Sequence, residues 1–393
     1  MSTDRCPSCG TPGMAVFHEA PAVPTNSCIL METREEALTY PRGAIRLGFC
    51  HSCGFISNLA FEPALTEYSG RYEETQGFSP TFNAFHRALA ERLIERYDLH
   101  GKDIVEIGCG KGEFLMLLCE LGGNRGVGFD PGVRHERIQG PAAESVRFVP
   151  DFYSEAHAEV QGDFFACKMT LEHIAPTGDF VRTVRNAIGE RAGTLVFFQI
   201  PETTRILESC AFEDIYYEHC SYFTPGSLAR LFRRSGFEVL GLSTEYQGQY
   251  LTIEARAAPE PVDQTPLPEE QDLGRVRDLV GSFPGRFAAK RTQWEARIRE
   301  AAAKGRRIVL WGSGSKAVSF LTTLELGDAI QYAVDINPYR QGHFLPGTGQ
   351  EILAPEALTT YRPDLVVIMN AVYREEIARD LERLGLAPEL VAL

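Results

Sequence analysis

The chain reads as an α/β protein: two parallel-sheet units follow a small cysteine-bearing N-terminal segment, and three observations predict this. From Lys102 onward, short continuous apolar runs alternate with helical stretches. Runs that are apolar without alternation indicate strands covered on both faces, as helical crossovers produce. A stretch rich in Pro and acid, Ala258 to about Glu270, separates a first set of runs from a second and reads as a linker, and two Cys-x-x-Cys pairs precede both sets.

At 393 residues the chain is too long for one core, which predicts two or three domains. Its 39 basic and 53 acidic residues give a net charge of −14, with no basic run long enough to track phosphates. Nucleic acid is therefore not an expected partner. A local arginine cluster still leaves room for a small anionic ligand. No uninterrupted apolar stretch reaches the roughly 18 residues of a membrane span. The polar, Cys-containing Met1–Gly10 is not expected to be a signal peptide. Cys28, Cys109, Cys119, Cys167, Cys210 and Cys220 accordingly read as reduced, mostly buried thiols of a cytoplasmic protein. Nothing in the architecture calls for a partner chain, so a monomer or weak homo-oligomer is expected.

Residues 1 to about 70 read as irregular, with short strand-like pieces. A helix begins at Ser79-Pro80, where Ser79 can cap and Pro80 suits the first turn. Phe82, Phe85, Leu89, Leu93 and Tyr97 give it an apolar face. Strands are expected at Ile104–Ile107, Gly126–Phe129, Val146–Val149, Phe164–Met169 and Leu195–Ile200. A helix from Thr224-Pro225 to Arg234 precedes an antiparallel pair, Glu238–Thr244 with Tyr250–Ala257. After the linker come a long charged helix, roughly Asp272 to Lys304, and strands at Ile308–Trp311, Tyr332–Val334 and Leu365–Met369.

Cys6-Pro-Ser-Cys9-Gly and Cys50-His-Ser-Cys53-Gly have the form of two zinc knuckles. Two intervening residues let both sulfurs of a pair meet one tetrahedral ion, and the following glycine permits the tight turn. Cys6, Cys9, Cys50 and Cys53 leave no open position on such an ion, so the zinc would be structural. A redox dithiol or chance spacing are the other readings. His51, inside the second knuckle, is expected to face solvent.

Val105-Glu106-Ile107-Gly108-Cys109-Gly110-Lys111-Gly112 follows an expected strand and opens a helix, so its backbone can approach a ligand at the carboxyl edge of the sheet. Nicotinamide-binding proteins share a lone glycine turn of this kind. Two carboxylates shift the balance away from them. Glu106 precedes the first glycine, where dehydrogenases keep an apolar residue, and Asp130 ends the next run, where it can accept both hydroxyls of a ribose. This set resembles the class I S-adenosylmethionine-dependent methyltransferases. The resemblance implies a Rossmann-like seven-stranded sheet, with Gly108, Gly110 and Gly112 lining the methionine and ribose of the cofactor. Glu106 would orient the loop or meet the sulfonium side, Asp130 would hold the ribose, and Asp151, after the third strand, would contact the adenine.

Leu171-Glu172-His173-Ile174 and Ile215-Tyr216-Tyr217-Glu218-His219-Cys220-Ser221-Tyr222 sit where such a sheet places its active-site loops. A stretch holding Glu, His and three Tyr is poor core filler. Taken alone, His173 could equally be an ordinary hydrogen-bonded histidine at a helix start. With the paired knuckles and the glycine turn, these segments resemble the sugar C-methyltransferases, which methylate a carbon beside the ketone of a nucleotide-linked 4-keto-deoxysugar. The likeness continues past the linker, through Trp311-Gly312-Ser313-Gly314-Ser315-Lys316, Val334-Asp335-Ile336-Asn337-Pro338 and Leu345-Pro346-Gly347. It implies that a base forms an enolate while donors hold the ketone oxygen. His219 would be that base, Glu218 would orient its ring or bind the sugar, and Tyr216, His173 and Tyr72 would surround the ketone and hydroxyls. The small-molecule acceptor would be a nucleotide sugar.

In the C-terminal unit, Gly312-Ser313-Gly314 and Asp335 have the look of a nucleotide fold but lack a third glycine, which weakens an independent NAD site. The resemblance has this unit close over the acceptor. Gly314, Ser315 and Lys316 would meet an anion at a helix start, with Arg340 and His343 as candidate helpers. The expected organisation is a zinc-binding domain at 1–70, a methyltransferase domain at 71–258, a linker and connecting helix at 259–304, and a smaller Rossmann-like domain at 305–393. An O- or N-methyltransferase on the same fold, or a zinc-ribbon binding protein with a degenerate α/β domain, remain as alternatives.

Overall fold

The computed structural model describes residues 5–191, 193–257 and 265–393. The greater part of the expected linker, residues 258–264, lies outside the described residues, as do residues 1–4. Strands β1 (Ala15–Pro24), β2 (Arg42–Phe49) and β3 (Ile56–Asn58) form an antiparallel meander. The strand-like pieces expected in this segment are thus ordered into one sheet, completed by a later strand. The register shifts between Val16 and His18 and between Ala20 and Val23, so β1 does not keep a period of two and its sequence does not read as a strand.

Strands β4 (Asp103–Ile107), β5 (Arg125–Phe129), β6 (Val146–Val149), β7 (Phe164–Lys168) and β8 (Leu195–Pro201) run parallel. They coincide with the expected apolar runs. Strand β9 (Ser221–Tyr222) leaves this order and pairs with β3, so the segment after β8 completes the N-terminal sheet. Strands β10 (Phe237–Glu245) and β11 (Tyr250–Ala257) close the central sheet, whose order is β10-β11-β8-β7-β4-β5-β6. This is the seven-stranded arrangement the sequence led us to expect, with β11 antiparallel to both neighbours. Succession reverses at β4, between β5 and β7, which opens a crevice above their carboxyl ends.

A third sheet, all parallel, has the order β14-β13-β12-β15-β16. Its strands are β12 (Ile308–Trp311), β13 (Tyr332–Val334), β14 (Glu351–Leu353), β15 (Leu365–Ile368) and β16 (Glu389–Ala392). β14 and β16 were not anticipated. Each has three or four residues and begins on a glutamate, too little apolar sequence to stand out. The helix Leu273–Ala303 spans two cores: Val280 and Phe283 pack with Phe49 and Tyr217, whereas Ile298 packs with Leu310 and Phe320. Among the described residues no helix is long and apolar enough to cross a membrane.

The expected caps are present: the Ser79 side chain accepts from the Phe82 N–H, and Thr224 accepts from Ser227. At Gly43 in β2 the ring of Tyr217 occupies the space a Cβ would need. Since Tyr217 is fully buried, the ring cannot swing away. Gly43→Ala should cost about 1–3 kcal/mol as an overpacking change, read as a lower denaturant midpoint at unchanged m-value.

Candidate active site

One cavity of about 650 Å³ opens between the carboxyl edges of the second and third sheets. Its floor is the glycine turn after β4. Gly108, Gly110 and Gly112 have φ of +69°, +54° and +81°, a region that strains any residue with a Cβ. Three side chains also crowd the turn, with Thr170 against Gly108, Glu74 against Gly110 and the Phe148 ring 2.5 Å from where a Cβ on Gly112 would lie. The Gly108 N–H donates to the Phe129 carbonyl (2.8 Å), which ties the turn to β5.

Asp130 braces the same turn. Its Oδ2 accepts from the Gly110 N–H (3.0 Å) and its Oδ1 from the Gly132 N–H (2.7 Å). Each oxygen keeps a further lone pair for a ligand. Burial raises its carboxyl above the usual range, against those two amides and Lys111. Glu106 is buried at the end of β4, and its Oε2 has no partner. Burial pushes it up to about 8, with the Lys168 ammonium pulling the other way. Asp151 stands on the cavity rim, exposed, 3.6 Å from His157 Nε2 and accepting from the Phe152 N–H.

Opposite the turn, two histidines meet edge to face with ring centroids 4.8 Å apart, His173 from the loop after β7 and His219 from the loop before β9. Tyr68 Oη is 2.9 Å from His173 Nδ1, and Tyr216 Oη is 2.9 Å from His219 Nε2. Burial lowers His173 to about 4 and His219 well below the usual histidine range, so both rings are neutral. The donor atoms of Glu172, His173 and His219 all lie within 4.8 Å of one another.

Glu218 does not orient the His219 ring. Its carboxylate faces the N-terminal segment, accepting from the Ser27 amide (2.9 Å) and hydroxyl (2.8 Å), with Tyr72 Oη 3.4 Å away. The carboxylate beside His219 is Glu172, 4.0 Å from Nε2, with both oxygens buried and unpartnered. Burial raises Glu172 to about 8 and Glu218 to about 7. In the sequence Glu172 stands out only as part of Leu171-Glu172-His173-Ile174. Its signal is the adjacent histidine, but nothing in the sequence tells which of two neighbouring Glu-His pairs turns inward.

Other lining residues had no sequence signal. Lys111, a surface-type residue in the glycine turn, is buried and donates to the Tyr72 and Gly132 carbonyls (2.9 and 3.2 Å) and to Glu74 (3.2 Å). Lys168 and Gln199 are lone polar residues within apolar strands.

In the third sheet Asp335 accepts from the Ser313 amide (2.9 Å) and hydroxyl (2.6 Å), so it closes its own turn. Lys316 pairs with Asp214 (2.7 Å), and buried Arg340 donates to the Ser313 carbonyl (2.9 Å) and the Glu73 carbonyl. His343 lies outside the cavity, 3.4 Å from Glu32.

The four knuckle cysteines converge at the edge of the N-terminal sheet, their sulfurs all within 4.8 Å. Cys6–Cys53 and Cys9–Cys50 are each separated by 3.6 Å, near the roughly 3.8 Å of thiolates around one tetrahedral zinc. The hydrogen bond between Cys6 and Cys53 raises Cys6 and holds Cys53 down to about 5. The φ of +74° at Gly10 and +77° at Gly54 lets each knuckle turn. His51 is exposed, and the scattered cysteines are buried and free.

Residues 82–242 match a family described as a methyltransferase domain, and residues 251–386 match one described as a C-methyltransferase C-terminal domain. The C-methyltransferase NovU of Streptomyces niveus is 27% identical over 311 residues, covering 74% of this chain and 72% of that protein. A tRNA U34 carboxymethyltransferase of Campylobacter hominis is 49% identical over 37 residues, 9% of this chain and 13% of its own. Among solved structures, the N,N-8-amino-8-demethyl-D-riboflavin dimethyltransferase (RosA) of Streptomyces davawensis aligns at 18% identity and a TM-score of 0.37, over 45% of this chain and 56% of its own.

A methyl group at the tightest glycine tests the turn. Gly108→Ala should lower stability by about 1–3 kcal/mol, through the positive φ and the contact with Thr170, as measured by denaturant unfolding.

Proposed function

We propose that the chain is an S-adenosylmethionine-dependent C-methyltransferase that methylates the carbon beside the ketone of a nucleotide-linked 4-keto-deoxysugar, with His219 as the base. The observation that carries this reading is the neutral, buried His219, whose Nε2 faces both Tyr216 and Glu172, in the cavity that also contains the glycine turn. S-Adenosylmethionine, when bound, supplies an electrophilic methyl on a sulfonium. Gly108, Gly110, Gly112 and Asp130 would hold it, with Glu106 beside the methionyl part and Asp151 near the adenine.

A C–H beside a ketone is weakly acidic, so the protein must supply both a base and charge stabilisation on the oxygen. Desolvation keeps the His219 ring uncharged and free to take that proton. The imidazolium so formed would be stabilised by an ionised Glu172 at 4.0 Å, in a dry site where such attraction is strong. Tyr216, Tyr72 and His173 would donate to the ketone and neighbouring hydroxyls. Glu218, fixed by Ser27, would then bind the sugar rather than orient His219. The third sheet would close over the nucleotide, with the first turn of the helix Ser315–Leu324 facing the cavity. The four knuckle thiolates fit a structural zinc, which would hold the N-terminal sheet in place.

Four outcomes follow. A mass-spectrometric screen of nucleotide 4-keto-sugars should give a product heavier by one methyl with the label at the α-carbon lost. Methylation on oxygen or nitrogen overturns the proposal. His219→Ala should reduce kcat by about 10²–10⁴-fold with S-adenosylhomocysteine affinity unchanged by calorimetry. Glu172 carries charge only above about pH 8, so kcat should rise with pH through that value, and Glu172→Gln should flatten that limb. In metal analysis the purified protein should hold one zinc per chain, and Cys53→Ser should lose it together with about 2 kcal/mol or more of stability.

A further inference from the structure

Three polar side chains that the catalytic scheme leaves largely unused stand together at one end of the cavity. Glu106 is the penultimate residue of β4, Lys168 ends β7, and Gln199 lies in β8, and all three line the cavity. Lys168 and Gln199 are direct neighbours across β7 and β8, and Glu106 pairs with Ala166, two residues before Lys168. The period-two alternation of strands therefore puts all three on the same face of the sheet.

Each has hydrogen-bonding capacity that the protein does not fill. The Lys168 ammonium is buried, yet its Nζ has no carboxylate within 4.0 Å among the described residues, and Glu106, Glu113 and Glu245 act on it only from farther away. It is 2.5 Å from the ring nitrogen Nε2 of His86 and 4.0 Å above the Phe114 ring. Gln199 Nε2 and Glu106 Oε2 are buried without partners. A buried cation lacking an anion and an amide donor lacking an acceptor are costly unless a ligand completes them. Beside them stands an acceptor lacking a donor. Two donors with one acceptor, next to a glycine turn, match the carboxylate and ammonium of an α-amino acid.

We propose that Lys168, with Gln199 as second donor, receives the α-carboxylate of the methionyl part of S-adenosylmethionine, and that Glu106 accepts from its α-ammonium. The proposal rests on the chain's dependence on that cofactor. His86 acts as a positioning residue: its ring nitrogen accepts from the ammonium and leaves the remaining N–H groups for the ligand. Lys168 is thus a cofactor-binding residue contributed by β7, away from the glycine turn.

Calorimetric titration of the full chain separates this from a structural role. The probes are S-adenosylhomocysteine and its decarboxylated form, S-adenosyl-3-thiopropylamine, which keeps the adenosine, the sulfur and the amine. The wild-type protein should bind the carboxylate-bearing probe about 10–100-fold more tightly, as expected for a charge-assisted pair. Lys168→Met should erase most of that preference by weakening S-adenosylhomocysteine alone. Equal affinity of the wild-type protein for the two probes overturns the proposal, whether or not the variant folds. So does a Lys168→Met protein that loses both probes equally or retains the preference. Failure of the wild-type protein to bind either probe instead overturns the cofactor assignment itself.

Discussion

Ser27 is the point on which the site depends. Its amide and hydroxyl donate to the Glu218 carboxylate (2.9 and 2.8 Å), and its oxygen is 2.7 Å from Ser315 Oγ. One small side chain thereby joins the segment between β1 and β2, the loop bearing Glu218 and His219, and the start of the helix Ser315–Leu324. Buried hydrogen bonds to a carboxylate are among the strongest neutral-to-charged contacts, and removing one partner strands the other in a dry site. The three sheets are thus coupled where the chemistry is expected.

A second set of contacts makes the same junction. Glu73 pairs with Arg137 (2.8 Å) and accepts from Asn337 (2.9 Å), while Arg340 reaches the Glu73 carbonyl. Lys316 meets Asp214 (2.7 Å). These pairs are largely buried, so solvent screens them little. Asp335 turns its carboxylate to the Ser313 amide and hydroxyl.

The legible parts of the sequence were those where chemistry requires a local pattern. Two Cys-x-x-Cys-Gly knuckles, an acid-flanked glycine turn and continuous apolar strands each need several residues at fixed spacing, so each left a signal. Capped helices did too, through Ser79-Pro80 and Thr224-Pro225. The bulged strand β1 and the short β14 and β16 left none, because their burial comes from partners remote in sequence. The same remoteness hid which glutamate faces His219. Glu172 and Glu218 each precede a histidine, and only tertiary packing sends Glu218 to Ser27 and Glu172 to the ring.

Lys168 and Gln199 are the extreme case. Each is one polar residue in a strand that is otherwise apolar, and by local pattern alone each reads as an imperfection in a buried run. Neighbouring strands in register convert two such imperfections into a pair of donors, and Glu106 on the adjoining strand adds an acceptor. The result is a cavity with polarised ends. One end carries uncompensated charge suited to a zwitterion, and the other carries neutral histidines and tyrosines suited to moving a proton. A low dielectric strengthens both, but it penalises the first while no ligand neutralises Lys168 and the second when Glu172 ionises without an imidazolium beside it. On the proposed reading, a zwitterion bound at the charged end would also help keep water from the histidine end, where a proton transfer needs it excluded.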